Sequence, residues 1–237
     1  MIAKKMYYMI VFGNRLRNSC KHWEMDTLKQ FIKRTPLYPP IEALRANFRR
    51  REAIREWRAM PAGVPPPPEF KHDTIIAYAR RFRLCLLIET GTYFGDTIAA
   101  TRTFFSEVYS IELSPELYSR AKDRFAADPG VHLIQGDSGR VLPTLLPTIT
   151  RRPLFWLDGH YSEGYTARGE TNTPIRQELE AITALCPNGV VLIDDARHFD
   201  GTHSYPTLAE LQSLVRQKAP QWSMDVKDGI IRLHDQT

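Results

Sequence analysis

The chain has 237 residues, of which 43% are hydrophobic and 25% charged, proportions typical of a globular protein. This composition excludes collagen, low-complexity and long coiled-coil proteins. The most apolar early run, residues 6–12, is much shorter than the ~20 residues that a membrane-spanning helix needs. The three cysteines are widely spaced and predict neither a disulfide framework nor a zinc site.

The first residues resemble a secretion signal only superficially. Lys4 and Lys5 precede the apolar run, but the run is short and no small-residue cleavage site follows it. We therefore predict a cytoplasmic protein.

Charge is distributed unevenly along the chain. Residues 1–60 contain 14 Lys and Arg against 5 Asp and Glu, whereas the remainder contains 18 basic and 22 acidic residues. Residues 61–69 include four consecutive prolines, which is typical of a stiff polyproline linker. We predict a basic, partly helical arm over residues 1–70, with helices at 26–32 and 41–60, and a second domain over 71–237.

The second domain alternates apolar strand patterns with helical patterns. Strands are predicted at residues 84–88, 108–111, 131–134, 154–157 and 190–193, and a late pair at 222–226 and 230–233. Helices are predicted at 74–82, 96–105, from Ser114-Pro115 onward, at 173–185 and at 206–215. The alternation predicts an α/β fold with a doubly wound, mostly parallel, Rossmann-like sheet and helices on both faces.

Carboxylates follow every one of the five central strand patterns. Turn formation or helix capping accounts for one or two such residues but not for all of them, and ligands of doubly wound sheets bind beyond the carboxyl ends of the strands. We therefore expect a ligand site lined by Glu89, Glu112, Asp137, Asp158, Asp194 and Asp195.

The loop after the first strand has glycines at Gly91 and Gly95, where the backbone must turn and approach a ligand closely. It matches neither the dinucleotide fingerprint nor a P-loop. Glu89 suits a cationic ligand, Glu112 can accept the hydroxyls of a ribose, and Asp137 can accept the amine of an adenine. A cationic amino acid, a ribose and an adenine together describe S-adenosylmethionine (SAM).

Residues 87–201 resemble the class I SAM-dependent methyltransferases. Residues 89–95 are similar to the first motif of that family, with Tyr93 in place of the central glycine, as in catechol-type enzymes. A closer resemblance, to the bacterial macrocin O-methyltransferase-like group, lies in residues 89–92, 136–138, 157–160 and 193–195. The resemblance implies a cofactor site formed by Glu89, Gly91, Thr92, Tyr93, Gly95, Glu112, Asp137, Ser138 and Asp158.

Two interpretations of the acidic residues after the fourth and fifth strands remain open. In the first, which the resemblance supports, Asp158, Asp194 and Asp195 bind Mg²⁺ or another divalent cation that lowers the pKa of the acceptor hydroxyl. His160 then accepts the proton as the catalytic base, with His198 as a rival. In the second, Asp158 positions the substrate, the aspartate pair orders the following loop, and proximity alone drives methyl transfer.

We predict a SAM-dependent methyltransferase. The reaction that we predict is metal-assisted O-methylation of a hydroxyl on a small molecule such as a sugar or natural product. The alternatives are a nucleic-acid methyltransferase guided by the basic arm, a cofactor-binding module without methyl transfer, and a different reaction of the kind suggested by cephalosporin hydroxylase-like relatives. The arm itself is expected to dock on the catalytic domain, to mediate homo-oligomerisation, or to attract nucleic acid or an anionic membrane surface.

Overall fold

A computed structural model describes residues 38–61, 63–159 and 173–235, with backbone alone for residues 38–45. The chain divides into two compact units between Met60 and Pro61. In the first unit the described residues form helix α1 (Tyr38–Arg58), close to the helix predicted at 41–60. The helix predicted at 26–32 lies outside the described residues. No helix in the described ranges is both long enough and apolar enough to cross a membrane.

The second unit is built on a seven-stranded sheet in the order β3-β2-β1-β4-β5-β7-β6. The first five strands run parallel, whereas β7 is antiparallel to both β5 and β6. This confirms the predicted mostly parallel sheet and the late strand pair. The strands are β1 (Leu86–Thr90), β2 (Glu107–Glu112), β3 (Val131–Gln135), β4 (Leu154–Leu157), β5 (Val190–Ile193), β6 (Trp222–Lys227) and β7 (Ile230–Asp235).

The central strands are apolar throughout because both faces of the sheet are covered. Neighbouring side chains of a strand point to opposite faces, and Leu87 and Ile88 accordingly belong to two different hydrophobic clusters. Phe155 and Trp156 on β4 divide in the same way, and both are fully buried. The sheet is therefore a rigid layer between two cores, and its strand ends are held in fixed positions.

The helices of the second unit follow the predicted alternation. The helix predicted at 96–105 ends at Thr101, and there are two larger differences. They are α2 (Pro68–Phe82), α3 (Asp96–Thr101), α4 (Pro115–Arg124), α5 (Ser138–Leu145), α6 (Ile175–Leu185) and α7 (Leu208–Lys218). The first difference is that α2 begins six residues before the predicted start, with Pro68 in its first turn, where a proline needs no hydrogen-bond partner. The second is α5, which was not predicted because Pro143 interrupts its pattern.

The start of α2 also bears on the boundary between the units. A boundary between residues 70 and 71 would fall inside this helix, whereas the compact units divide ahead of the proline-rich segment. Lys71, the first residue of the predicted second domain, therefore lies within a regular helix and not at its start. Whether the arm is functionally separable stays a prediction.

Candidate functional site

The carboxyl ends of β2, β1, β4 and β5 lie side by side at one edge of the sheet. The Gly91 N–H donates to Ile111 O at 2.9 Å, the Asp158 N–H to Thr90 O at 3.1 Å, and the Asp194 N–H to Leu157 O at 3.0 Å. Each residue that leaves a strand is therefore still hydrogen-bonded to the neighbouring strand. The segments that follow these strands leave the sheet at the same level, which brings their polar groups to one edge.

The loop after β1 turns through Gly91 because no other residue fits there. Gly91 has φ +83°, and a Cβ atom at this position would lie 2.6 Å from the carbonyl oxygen of Asp158. At the far side of the loop Gly95, with φ +77°, precedes α3. The glycines predicted from the sequence thus let the loop turn sharply against the end of β4.

Glu112 at the end of β2 is held by the same loop. The Tyr93 N–H donates to its Oε2 and the Ser114 N–H to its Oε1, both at 2.8 Å. Tyr93 adopts a left-handed conformation with φ +50°, which directs its N–H toward the carboxylate, while its exposed ring packs on Phe94. Because each carboxylate oxygen has two acceptor sites, Glu112 can still accept further hydrogen bonds from a ligand.

Glu89 lies buried on β1 in a chain of hydrogen bonds. The Ser110 hydroxyl donates to Glu89 Oε2 at 2.6 Å, and Thr92 Oγ1 lies 2.6 Å from the same Ser110 oxygen. Burial raises the pKa of Glu89 to about 8. The hydrogen bond from Ser110 lowers this pKa, and the negative charge of Asp158 raises it to a smaller extent. At pH 7 this carboxyl is therefore mostly protonated, whereas we expected a charged carboxylate.

Asp137 and Ser138 begin α5 and are engaged within the protein. Asp137 Oδ1 accepts from the Gly139 N–H at 2.9 Å, so this side chain caps the helix. The Ser138 hydroxyl donates to Glu178 Oε1 at 2.6 Å. Ser138 thus joins α5 to α6 and has a structural contact besides its predicted role in cofactor binding.

Glu178 is a site residue that we did not single out from the sequence. It is almost completely buried on α6, and burial raises its pKa to about 7 despite the hydrogen bond from Ser138. The available signal was its position three residues after Ile175 and four before Ile182, on the apolar face of the helix. A carboxyl group on such a face requires a partner, which the sequence alone does not identify.

The acidic residues after β4 and β5 form a carboxylate cluster, defined here as Asp158, Asp194 and Asp195. Asp194 is buried, its Oδ2 forms a short ion pair with Lys71 Nζ, and its Oδ1 accepts from the Asp195 N–H at 2.8 Å. The Asp195 carboxylate lies 3.5 Å from Arg197 Nη2 and 3.8 Å from His198 Nε2. Lys71, from α2, was missed because it lies 123 residues from Asp194 in sequence.

The pKa values of this cluster reflect burial first and the neighbouring charges second. Burial and repulsion by Asp158 raise the pKa of Asp194 to about 7, although Lys71 lowers it. Burial lowers the pKa of Lys71, but the attraction and hydrogen bond of Asp194, together with the charges of Asp158 and Asp195, raise it above its ordinary value. Both shifts favour an extra proton, as expected for three carboxylates around one ammonium group.

These contacts do not fit the metal site that we expected at the carboxylate cluster. Within residues 38–61, 63–159 and 173–235, no three or more His, Cys, Asp or Glu side chains are grouped so that they could hold a metal ion. Asp194 already uses one oxygen for Lys71 and the other for a backbone N–H. His160, the predicted base, lies outside the described residues.

No family model and no curated protein matches the sequence. Among solved structures, the chain is similar to the O-methyltransferase from Bacillus cereus in complex with SAH, at 16% identity over 99% of this chain and 97% of that one, with a TM-score of 0.53. It is also similar to the O-methyltransferase TomG from Streptomyces achromogenes, involved in tomaymycin synthesis and in complex with SAM, at 16% identity over 80% and 88% and a TM-score of 0.51. A third is the SAH-bound methyltransferase PaMTH1 of Podospora anserina, at 16% identity over 94% and 99% and a TM-score of 0.50.

At this identity the similarity concerns the fold. The chain has the Rossmann-like methyltransferase fold, which confirms the fold predicted from the strand and helix pattern. The finer resemblance to the macrocin O-methyltransferase-like group stays a prediction.

Replacing Gly91 tests the close approach of the β1 loop to β4. Gly91→Ala should destabilise the protein by more than the about 1–2 kcal/mol that a left-handed backbone costs a non-glycine residue, because its Cβ also meets the Asp158 carbonyl. Gly63→Ala is the matched control, since Gly63 has φ +97° but no atom within 4 Å of its Cβ position. Urea denaturation measures both, and an equal loss of stability would contradict the proposed close approach.

The buried carboxyl of Glu178 should make stability depend on pH. Its pKa is about 7 in the folded chain, against an ordinary value of 4.5, so between these pH values the folded state keeps a proton that the unfolded state releases. The free energy of unfolding should therefore fall as the pH rises from about 4.5 to 7, by up to about 3 kcal/mol for this one group.

The substitution Glu178→Gln should flatten this part of the stability profile, because glutamine does not titrate. Glu180→Gln on the exposed face of α6 is the control and should leave the profile unchanged. Urea midpoints measured at several pH values give the comparison. Identical pH profiles for the wild type and Glu178→Gln would refute the assignment.

Proposed function

We propose that this protein transfers a methyl group from SAM to a hydroxyl group of a small molecule. The observation that carries this proposal is the fixed Glu112 carboxylate beside the glycine turn of β1, at the edge where doubly wound sheets bind nucleotides. Two neighbours of the same fold, TomG and the Bacillus cereus enzyme, are O-methyltransferases crystallised with SAM or SAH. This supports the choice of cofactor and of an oxygen acceptor.

In this proposal, different strand ends would bind different parts of the cofactor. Glu112 would accept the ribose hydroxyls, because its two oxygens are oriented by backbone N–H groups and keep acceptor capacity. The Gly91 turn would admit the cofactor close to the backbone, and Asp137 would accept the adenine amine with the oxygen not used in capping. Glu89 and Asp158 would lie on the side of the sulfonium.

The chemical step needs an acceptor oxygen placed in line with the methyl group and a base that takes its proton. Proximity and orientation supply much of the rate enhancement in such a transfer. Asp158, at the end of β4 beside the Gly91 turn, would orient the acceptor hydroxyl. His160 remains the proposed base, and His198, half-exposed and near Asp195, is the described rival.

Metal assistance, which we predicted from the sequence, is the alternative to this mechanism. Because the contacts of Asp194 do not fit a metal ligand, no step of the mechanism above runs through a metal. Transfer of a labelled methyl group to a panel of sugars, polyols and RNA, with and without chelator, separates the two mechanisms. The same panel tests the nucleic-acid alternative, for which the basic arm is the reason.

The remaining expectations belong to the same proposal. We propose a cytoplasmic enzyme whose partner is its small-molecule acceptor, and in which the basic arm serves docking, homo-oligomerisation or attraction of anionic surfaces. Helix α1 carries three consecutive exposed or half-buried arginines, Arg49, Arg50 and Arg51, which would support electrostatic attraction.

Substitution of Glu112 tests the assignment of the ribose. Glu112→Ala should weaken SAH binding by about 1–3 kcal/mol, because ribose hydroxyls and two backbone N–H groups lose their acceptor. Glu112→Gln keeps one acceptor oxygen and should lose less. Exposed Glu116→Gln on α4 is the control. Calorimetry that finds unchanged affinity in a folded Glu112→Ala variant would exclude the ribose assignment.

Glu89 should couple the binding of SAM to proton release. The sulfonium of SAM is cationic and should lower the pKa of this carboxyl from about 8, whereas the uncharged thioether of SAH should not. Between pH 7 and 8, SAM binding should release part of one proton, so its affinity should rise with pH more than that of SAH. Glu89→Gln should abolish this difference.

The proton count follows from calorimetry in two buffers with different ionisation enthalpies. Equal proton release on binding SAM and SAH would show that Glu89 does not respond to the sulfonium charge.

A further inference from the structure

Lys71 forms a contact that the proposed function does not use. It lies in the first turns of α2, and its Nζ forms an ion pair with Asp194 Oδ2 at the carboxyl end of β5. The side chain of Asp194 is 1% exposed and that of Lys71 is 20% exposed, so the pair is largely removed from water. A pair of this kind is costly to bury unless both groups have further partners.

The pair has further acidic neighbours among the described residues. Asp158 and Asp195 also attract the Lys71 ammonium group, and the second oxygen of Asp194 accepts from the Asp195 N–H. Lys71 therefore lies beside three carboxyl groups, of which that of Asp195 also has Arg197 Nη2 at 3.5 Å. Three carboxylates at such close quarters require a compensating positive charge.

Asp194 also connects Lys71 to the segment after β5. By accepting from the Asp195 N–H, it fixes Asp195 in a left-handed conformation with φ +49°. The Asp195 carbonyl in turn accepts from the His198 N–H at 2.9 Å. A change at Lys71 would therefore reach the turn that places His198.

We propose that Lys71 takes the place of a divalent cation in this site, as the counter-cation that holds the carboxylate cluster together. The assignment of the cluster to the acceptor side of a methyltransferase rests on the proposed function. The exclusion of a metal ion by Lys71 does not depend on that assignment. Lys71 is a positioning residue in this account. It keeps Asp194 and Asp195 in place, and it occupies the carboxylate oxygen that a metal would need.

Titration with Mn²⁺ tests this replacement directly on the full-length chain. The signal of free Mn²⁺ in electron paramagnetic resonance gives the affinity for the wild type and for Lys71→Met, which has a similar length but no charge. Lys71→Arg keeps the charge, and Lys218→Met, at an exposed position on α7, is the matched surface control. Lys71→Gln replaces Lys71→Met if the latter does not fold.

The variant without the charge should bind Mn²⁺ at least about tenfold more tightly than the wild type, Lys71→Arg or Lys218→Met. Mn²⁺ should also raise the melting temperature of Lys71→Met and leave that of the wild type unchanged, because a ligand stabilises only the protein that binds it. Equal Mn²⁺ affinity of the wild type and Lys71→Met would overturn the proposal. Absence of binding in both proteins would overturn it too, since the cluster would then be no cation site.

Calorimetry with SAH on the same proteins keeps this result separate from the proposed function. One outcome is that the wild type binds SAH but Lys71→Met binds Mn²⁺ no more tightly than the wild type does. This would contradict the role of Lys71 and leave the methyltransferase proposal standing. Wild type that fails to bind SAH, with the expected Mn²⁺ difference intact, would contradict the methyltransferase proposal instead.

Discussion

The burial of several carboxyl groups at one edge of the sheet is the constraint on which the rest of the site depends. Parallel strands in register bring Glu89, Glu112, Asp158 and Asp194 to the same edge. Three of them are accommodated differently: Glu89 by holding a proton, Glu112 by two backbone N–H groups, and Asp194 by Lys71. The way in which each charge is compensated decides what that part of the crevice can bind.

Because these carboxyl groups are accommodated differently, this edge of the sheet has two chemically different sides. On the side of β1 and β2, both oxygens of Glu112 keep acceptor capacity, which suits the neutral hydroxyls of a ribose. Glu89, next to it, is protonated and becomes negatively charged only when a cation approaches and lowers its pKa. On the side of β4 and β5, the ammonium group of Lys71 already balances part of the acidic charge. This side suits an uncharged hydroxyl acceptor better than an anionic one.

Much of the sheet and its ligand edge could be predicted from the sequence, because apolar runs buried on both faces are local patterns. The strands at residues 154–157 and 190–193 have the predicted bounds, whereas β1 covers Leu86–Thr90 and not the predicted 84–88, so that Glu89 lies within the strand. Lys71 could not be predicted, since its partner is set by the packing of α2 against a distant strand. The protonation of Glu89 depends on burial and on Ser110, which local patterns do not reveal.

A crystal structure of the chain with SAH tests the central claim most directly, because it shows both sides of the crevice at once. The account predicts the ribose hydroxyls within hydrogen-bond distance of Glu112 and the Lys71–Asp194 ion pair intact, even in crystals grown with Mn²⁺. A cofactor bound away from the ends of β1 and β2, or Mn²⁺ on Asp194 with Lys71 displaced, would contradict it.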